Sequence, residues 1–299
     1  MTKYLFFTWL LFIVAFPSAM ACDVCGCGAG NYYLGMMPQF HKNFVGVRYR
    51  QLSYRSHLGQ HATQATQETF HVSELWMRYY PHQKIQLLAF LPWAYHQQQT
   101  SRDVKTLQGV SDALFMVNYQ VMRLEKTTQR HSLWIGTGLK IPTGKAHYDA
   151  NDATQVANPN FQLGTGSWDV LFNAFYQFRY QNIGISSDVT YKFNTKNRQD
   201  YQFGHRVSSN IAFFYIQKIK SIGLMPNVGC YAERSSMDIQ KGILLENTGG
   251  SLLAQTIGIE FFYKNFNIGA AMQLPLAQNL ANERIKAKNR AMLHITWVF

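Results

Sequence analysis

Charge is scarce in this chain, and acid is scarcer than base. Only 15% of its 299 residues are charged, and 16 acidic side chains face 28 basic ones, a formal charge of +12. Soluble domains carry about a quarter charged residues, so neither a coiled coil nor a disordered chain fits. Cysteine is equally sparse, four in all, which excludes a disulfide-stapled scaffold for a chain of this length. Long apolar runs are missing outside the first twenty residues, which excludes a bundle of membrane helices, and the mean hydropathy is −0.19. Aromatic residues, by contrast, are plentiful: 21 Phe, 17 Tyr and 6 Trp. The basic excess alone admits a nucleic acid, an anionic membrane surface or an anionic solute.

The N-terminus narrows that choice. Lys3 precedes an apolar run from Tyr4 to Phe16, and Ala19-Met20-Ala21 follows as a small-x-small cleavage site. The run is short of the about 20 residues that a spanning helix needs, so residues 1–21 read as a secretory signal peptide. An exported protein has no nucleic acid to meet. The mature chain is then a cysteine-bearing segment, 22–42, acting as plug or periplasmic cap, and a long remainder, 43–299.

That remainder alternates with period two. At its end Ala291, Leu293, Ile295, Trp297 and Phe299 are apolar, whereas Arg290, His294 and Thr296 are not. Such alternation predicts a strand with one apolar face. Twelve segments of this kind are expected, near 43–54, 68–80, 84–97, 109–124, 131–141, 167–180, 183–194, 203–217, 219–233, 250–263, 265–276 and 288–299. They exceed the ordinary strand length of about 5–6 residues and suit a tilted bilayer crossing of about 9–11. Tight joins (181–182 and 264–265 are the shortest) alternate with long polar ones such as 142–166. Short turns at one end and long loops at the other are the pattern of an outer-membrane barrel. The fold expected is therefore all-β: a transmembrane, antiparallel, up-and-down β-barrel of about 12 strands, in contact with outer-membrane lipid. Aromatics near strand ends (Tyr79, Tyr80, Trp93, Tyr95, Trp134, Trp168, Tyr176, Tyr180) are expected to form its interfacial girdle.

The polar face of each strand would then line a lumen. Its expected charged residues are Arg48, Arg50, Lys140, Arg179, Lys192, Arg206 and Arg290 on one side. Asp112, Asp169, Asp188 and Glu260 oppose them. Pairing would neutralise most of these, and any hydrated excess of base would favour anions.

The last strand resembles the assembly signature of Gram-negative outer-membrane proteins: Leu293, Ile295 and Trp297 at alternate positions before a terminal Phe299. That resemblance implies an outer-membrane address and recognition by the barrel-assembly machinery. A second resemblance rests on Gly138-Leu139-Lys140-Ile141-Pro142-Thr143-Gly144-Lys145 and Leu163-Gly164-Thr165-Gly166-Ser167-Trp168-Asp169. The pair looks like the transporter-like family labelled after the meta-pathway of phenol degradation. It implies a barrel admitting small solutes, aromatic ones among them, with no catalytic residues. Read physically, Pro142 ends ladder pairing, and the glycines let the chain turn back at the rim.

Chemistry has one other candidate seat. Cys22, Cys25 and Cys27 crowd three thiols into six residues, with Met36, Met37 and His41 nearby. Thiolate, thioether and imidazole together suit copper, with zinc as the harder possibility. Disulfide formation in an oxidising compartment competes, as does lipid attachment at Cys22, although Ala19 stands where a lipobox prefers Leu. Cys230 reads as a small apolar filler within a strand. No nucleophile motif, Walker loop or dinucleotide fingerprint is present, and His294, Ser208 and Asn210 lack any supporting pattern, so no enzyme is expected. The reading is a channel for passive passage of a small solute, hydrophobic, aromatic or anionic. The alternative is a copper-handling segment on a barrel anchor.

Overall fold

The computed structural model describes residues 42–57, 65–100, 103–146 and 161–299. The predicted signal peptide, and the cysteine-bearing segment up to residue 41, lie outside them. The strands are β1 (Phe44–His57), β2 (Ala65–His82), β3 (Ile85–Gln99), β4 (Val104–Val110), β5 (Ala113–Glu125), β6 (Gln129–Ile141), β7 (Asp169–Tyr180), β8 (Ile183–Asn194) and β9 (Tyr201–Gln202). They continue with β10 (Arg206–Tyr215), β11 (Gln217–Ile219), β12 (Ile222–Ser235), β13 (Asp238–Gln240), β14 (Ile243–Leu245), β15 (Gly250–Tyr263), β16 (Phe266–Leu280), β17 (Ile285–Ala287) and β18 (Arg290–Val298).

Three staves are each made of two consecutive strands: β4 with β5, β10 with β11, and β17 with β18. Each chain neighbour pairs antiparallel with the next, and β1 closes the ring on β17 and β18. Twelve staves thus form one closed wall. Closure leaves no free edge, which is what a sheet surrounded by lipid requires.

Alternation decides which face is which. On β18, Leu293, Ile295 and Trp297 are 46–54% exposed, whereas Met292, His294 and Thr296 are at most 7% exposed. The apolar set therefore faces outward and the polar set faces the lumen. The same parity holds on β8, where Val189, Tyr191 and Phe193 are exposed and Thr190, Lys192 and Asn194 are buried. A globular sandwich would show the reverse.

Tight turns close one end. Gln181, Lys220 and Lys264 open two-residue connections with φ of 49°, 53° and 50°. This left-handed geometry matches the twist of a hairpin. The other end carries the longer connections and a small separate sheet, β14-β13-β9. Those three short strands fall in stretches predicted as loops, because two- and three-residue strands leave no readable period. The expected loop over 98–108 is also mostly strand: β4 pairs with β3 from Val104 to Val110. One seam is incomplete. The β16–β18 ladder stops at Gln273 and Arg290, and β16 regains its neighbour only at Leu280 and Ile285. Between them the Gln278 amide takes the place of a peptide, bonding both the N–H and the carbonyl of Ala287.

Parity also corrects three expectations, the first being Tyr80, which shares the inner face of β2 with Trp76 and Arg78 and accepts a hydrogen bond from Gln86 instead of joining a girdle. Trp134 is not part of a girdle; it shares the inner face of β6 with Lys140 and is 1% exposed, its ring 5.9 Å from that of Tyr80. Cys230 fills no interior gap: on β12 the inner positions are Tyr231 and Glu233, so Cys230 faces outward as an exposed thiol.

Candidate functional site: the lumen and its constriction

A buried ion cluster sits where β5, β6 and β7 meet the long-loop end. Lys140, on the inner face of β6, places Nζ 2.8 Å from Asp112 Oδ2 and 2.7 Å from Asp169 Oδ2. Lys192 on β8 adds a second cation, 3.3 Å from Asp169 Oδ2. Register explains the meeting: Lys140 pairs with Asp169 across β6–β7, and Asp112 directly precedes β5.

The long connection from β6 to β7 is latched to this cluster at both ends. The Gly144 and Thr165 amides donate to the two oxygens of Asp112, at 3.1 and 2.9 Å. Lys140 donates to the Thr165 hydroxyl, and Ser167 Oγ donates to Asp169 Oδ1 at 2.8 Å. The loop ends touch at two glycines. A Cβ on Gly164 would lie 2.4 Å from Asp112 Oδ1 and 2.7 Å from the Gly144 carbonyl carbon. The Gly-rich motifs of the sequence therefore serve a close backbone crossing over a buried carboxylate.

Beyond the crossing the chain dips into the lumen. Gln162 and Leu163 are 1% and 4% exposed. Leu163 packs with Val72 and Ala94 of the inner wall, and its carbonyl accepts from Ser111. The Phe161 ring stands 6.3 Å from Phe70 and 6.4 Å from His96. Residues 161–163 thus narrow the long-loop half of the barrel. Among the described residues they contribute an inserted segment, not a stave.

Further down, the wall pairs its own charges. Arg48 bonds Glu74 while its guanidinium lies over Trp76, 4.8 Å from the ring centre. Arg50 reaches the same Glu74 oxygen at 3.3 Å. Arg290 spans from β18 to β12, bonding Glu233 at 3.0 Å and the Tyr54 hydroxyl at 3.1 Å. Tyr231 completes that group by donating to Glu233 at 2.7 Å. His294 lies 3.1 Å from Glu260 and 3.0 Å from Asn267 Oδ1. Glycine at 269 leaves room for this pair, since a Cβ there would lie 2.2 Å from His294 Cε1. Glu68 accepts from Ser56, Thr66 and Gln98. Asp188 accepts from Asn210 at 3.3 Å, and Arg206 stands opposite Lys192 in register.

Arg48, Arg50, Asp112, Lys140, Asp169, Asp188, Lys192, Arg206, Glu260 and Arg290 all lie on inward positions, with Arg179 at the short-turn mouth. Sequence reasoning overlooked Glu68, Glu74 and Glu233. Their parity with Phe70, Trp76 and Tyr231 would have revealed them. With Asp112, Asp169, Asp188 and Glu260 they equal in number the inward bases Arg48, Arg50, Arg78, Lys140, Lys192, Arg206 and Arg290. The basic surplus expected of the lumen is therefore not on its buried wall but at the short-turn mouth, where Arg123, Arg130 and Arg179 take inward positions. His294 and Asn210 lie on separate staves with different partners, so the wall does not assemble them into one constellation. Cys22, Cys25 and Cys27 lie outside the described residues. Among those residues no group of three His, Cys, Asp or Glu is placed to hold a metal.

No family model matches the chain, and no curated protein matches it. Solved structures do. An outer membrane channel from Pseudomonas putida F1 superposes with a TM-score of 0.61 at 15% identity, over 89% of this chain and all of that one. The translocator domain of the autotransporter NalP from Neisseria meningitidis gives 0.45 at 10% identity, over 91% and 93%. The first likeness establishes the fold: this chain is a β-barrel of the outer-membrane type.

Proposed function

We propose that the protein is an outer-membrane channel for passive passage of a small solute, with residues 161–163 as its constriction. The observation that carries this reading is the division of labour inside the barrel. The inner wall carries buried ion pairs and an apolar patch of its own, whereas the narrowing comes from a loop end held by a discrete latch. The likeness to an outer membrane channel supports the reading at the level of fold. The outward array of Leu293, Ile295, Trp297 and Phe299 fits recognition by the barrel-assembly machinery as well as lipid contact, and the short turns then face the periplasm.

The wall offers two chemistries to a passing solute. One is the apolar patch of Phe44, Trp76, Leu88, Phe90 and Leu114 on β1 to β5; the other is the row of paired charges. Liposomes carrying the protein, diluted into isosmotic arabinose or benzoate, test the reading: swelling above that of empty liposomes is expected. Rates equal to those of empty liposomes for every small solute tried would refute it.

A further inference from the structure

We infer that the short-turn mouth carries an anion-binding site built from Arg130, Arg179 and Arg123, which takes a soluble carboxylate or phosphate. This rests on the channel reading and deepens it by assigning the solute's charge.

Arg130 of β6 and Arg179 of β7 stand directly opposite each other in register. Both occupy inward positions, since they share a face with Ser132 and Gln177, and that face continues into Trp134 and Asn173 inside the barrel. Arg123 of β5 pairs with Ser132 and so lies diagonal to Arg130 on the same face. Like charges opposite each other on a sheet repel, and an anion between them would relieve that repulsion. The acid nearby does not neutralise it. Glu125 stands opposite Arg130 but bonds Arg123 at 3.1 Å, in an exposed pair that contributes little. Arg130 has no ion pair among the described residues.

The backbone beneath is fixed. The Gln181 amide bonds the Thr128 carbonyl at 2.9 Å, tying two neighbouring turns together, and Arg179 Nε donates to the Gln181 carbonyl at 2.6 Å. An open recess of about 880 Å³, lined by Tyr80, Pro81, His82, Gln83 and Arg123, adjoins the group and leaves room for a ligand. Guanidinium forks bind carboxylate and phosphate in two-point fashion. The surrounding turns add Lys84, Lys126, Lys218, Lys220 and Lys264, which raise the local anion concentration. The inward aspect of the three arginines selects a dissolved anion over a lipid headgroup.

The test pairs binding with conduction. Purified full-length protein in detergent is titrated with inorganic phosphate and with benzoate, following the arginine side-chain Nε–H resonances. Saturable shifts in the wild type that vanish in Arg130→Gln/Arg179→Gln are expected. In planar bilayers under a salt gradient, that variant should lose the anion preference severalfold, while Lys218→Gln/Lys220→Gln keeps it. Heat-modifiable migration confirms that each variant is a folded barrel. Absence of phosphate and benzoate binding overturns the proposal, as does an equal loss of preference in the lysine variant. Shifts seen only with phosphatidylglycerol vesicles overturn it in favour of a lipid contact. Wild type that binds the anions yet passes no current leaves the site standing and refutes the channel.

Discussion

Lys140 Nζ lies 2.7 Å from Asp169 Oδ2, with neither side chain exposed to solvent. The pair joins two adjacent staves and, through Asp112 and Thr165, pins both ends of the longest connection in the chain. Stability of the wall and closure of the lumen therefore depend on the same ammonium group.

Replacing Lys140 by Met removes the charge and keeps the length. Asp112 loses its cation and Asp169 keeps only Lys192, a deficit worth about 3–5 kcal/mol where buried pairs are broken from one side. Urea unfolding in phospholipid vesicles is expected to show that loss. Asp112→Asn in the Lys140→Met background should recover part of it.

Gly164→Val places carbon atoms where Asp112 and Gly144 already stand. The loop ends are expected to separate while the barrel stays closed. Limited trypsin digestion should then cut at Lys145, exposed on the loop, faster than in the wild type, with heat-modifiable migration unchanged.

The outer face predicts a contrast within one strand. Ile257 on β15 is 47% exposed and outward, so Ile257→Arg meets lipid and costs about 2–4 kcal/mol near the midplane. Gln255 faces the same way but lies nearer the long-loop end, and Gln255→Arg is expected to cost less. Folding equilibria of the two variants in vesicles measure the difference.

Phe161→Ala removes the ring that packs toward Phe70 and His96. Single-channel conductance is expected to rise severalfold, with little effect on unfolding, because the ring belongs to the inserted segment and not to the wall.

Much of this is legible in the sequence, for identifiable reasons. A period of two survives over a dozen residues, so the staves, the tight turns at 181–182 and 264–265, and the outward face of Leu293, Ile295 and Trp297 can be read directly. Parity also fixes Lys140 and Asp169 as inward, but no pattern says that they touch, because register depends on turn length and stave stagger. Trp134 misleads because an aromatic near a strand end suits either face, and only its parity with Lys140 decides. Glu74 and Glu233 escape because their companions on the inner face, Trp76 and Tyr231, are aromatic and make that face read as apolar until the parity of the whole strand is followed. The path of Phe161 into the lumen leaves no trace in local pattern at all. It follows from the latch at Asp112, residues distant in sequence.

The central claim is that the 161–163 segment constricts a conducting lumen. Leu163→Cys with Ala94→Cys, in a chain whose native cysteines are replaced by Ser, would let a disulfide hold that segment against the wall. Bilayer current is then expected to be low under oxidation and to rise on addition of reductant. The same current before and after reduction, with disulfide formation verified by mass, would contradict the account.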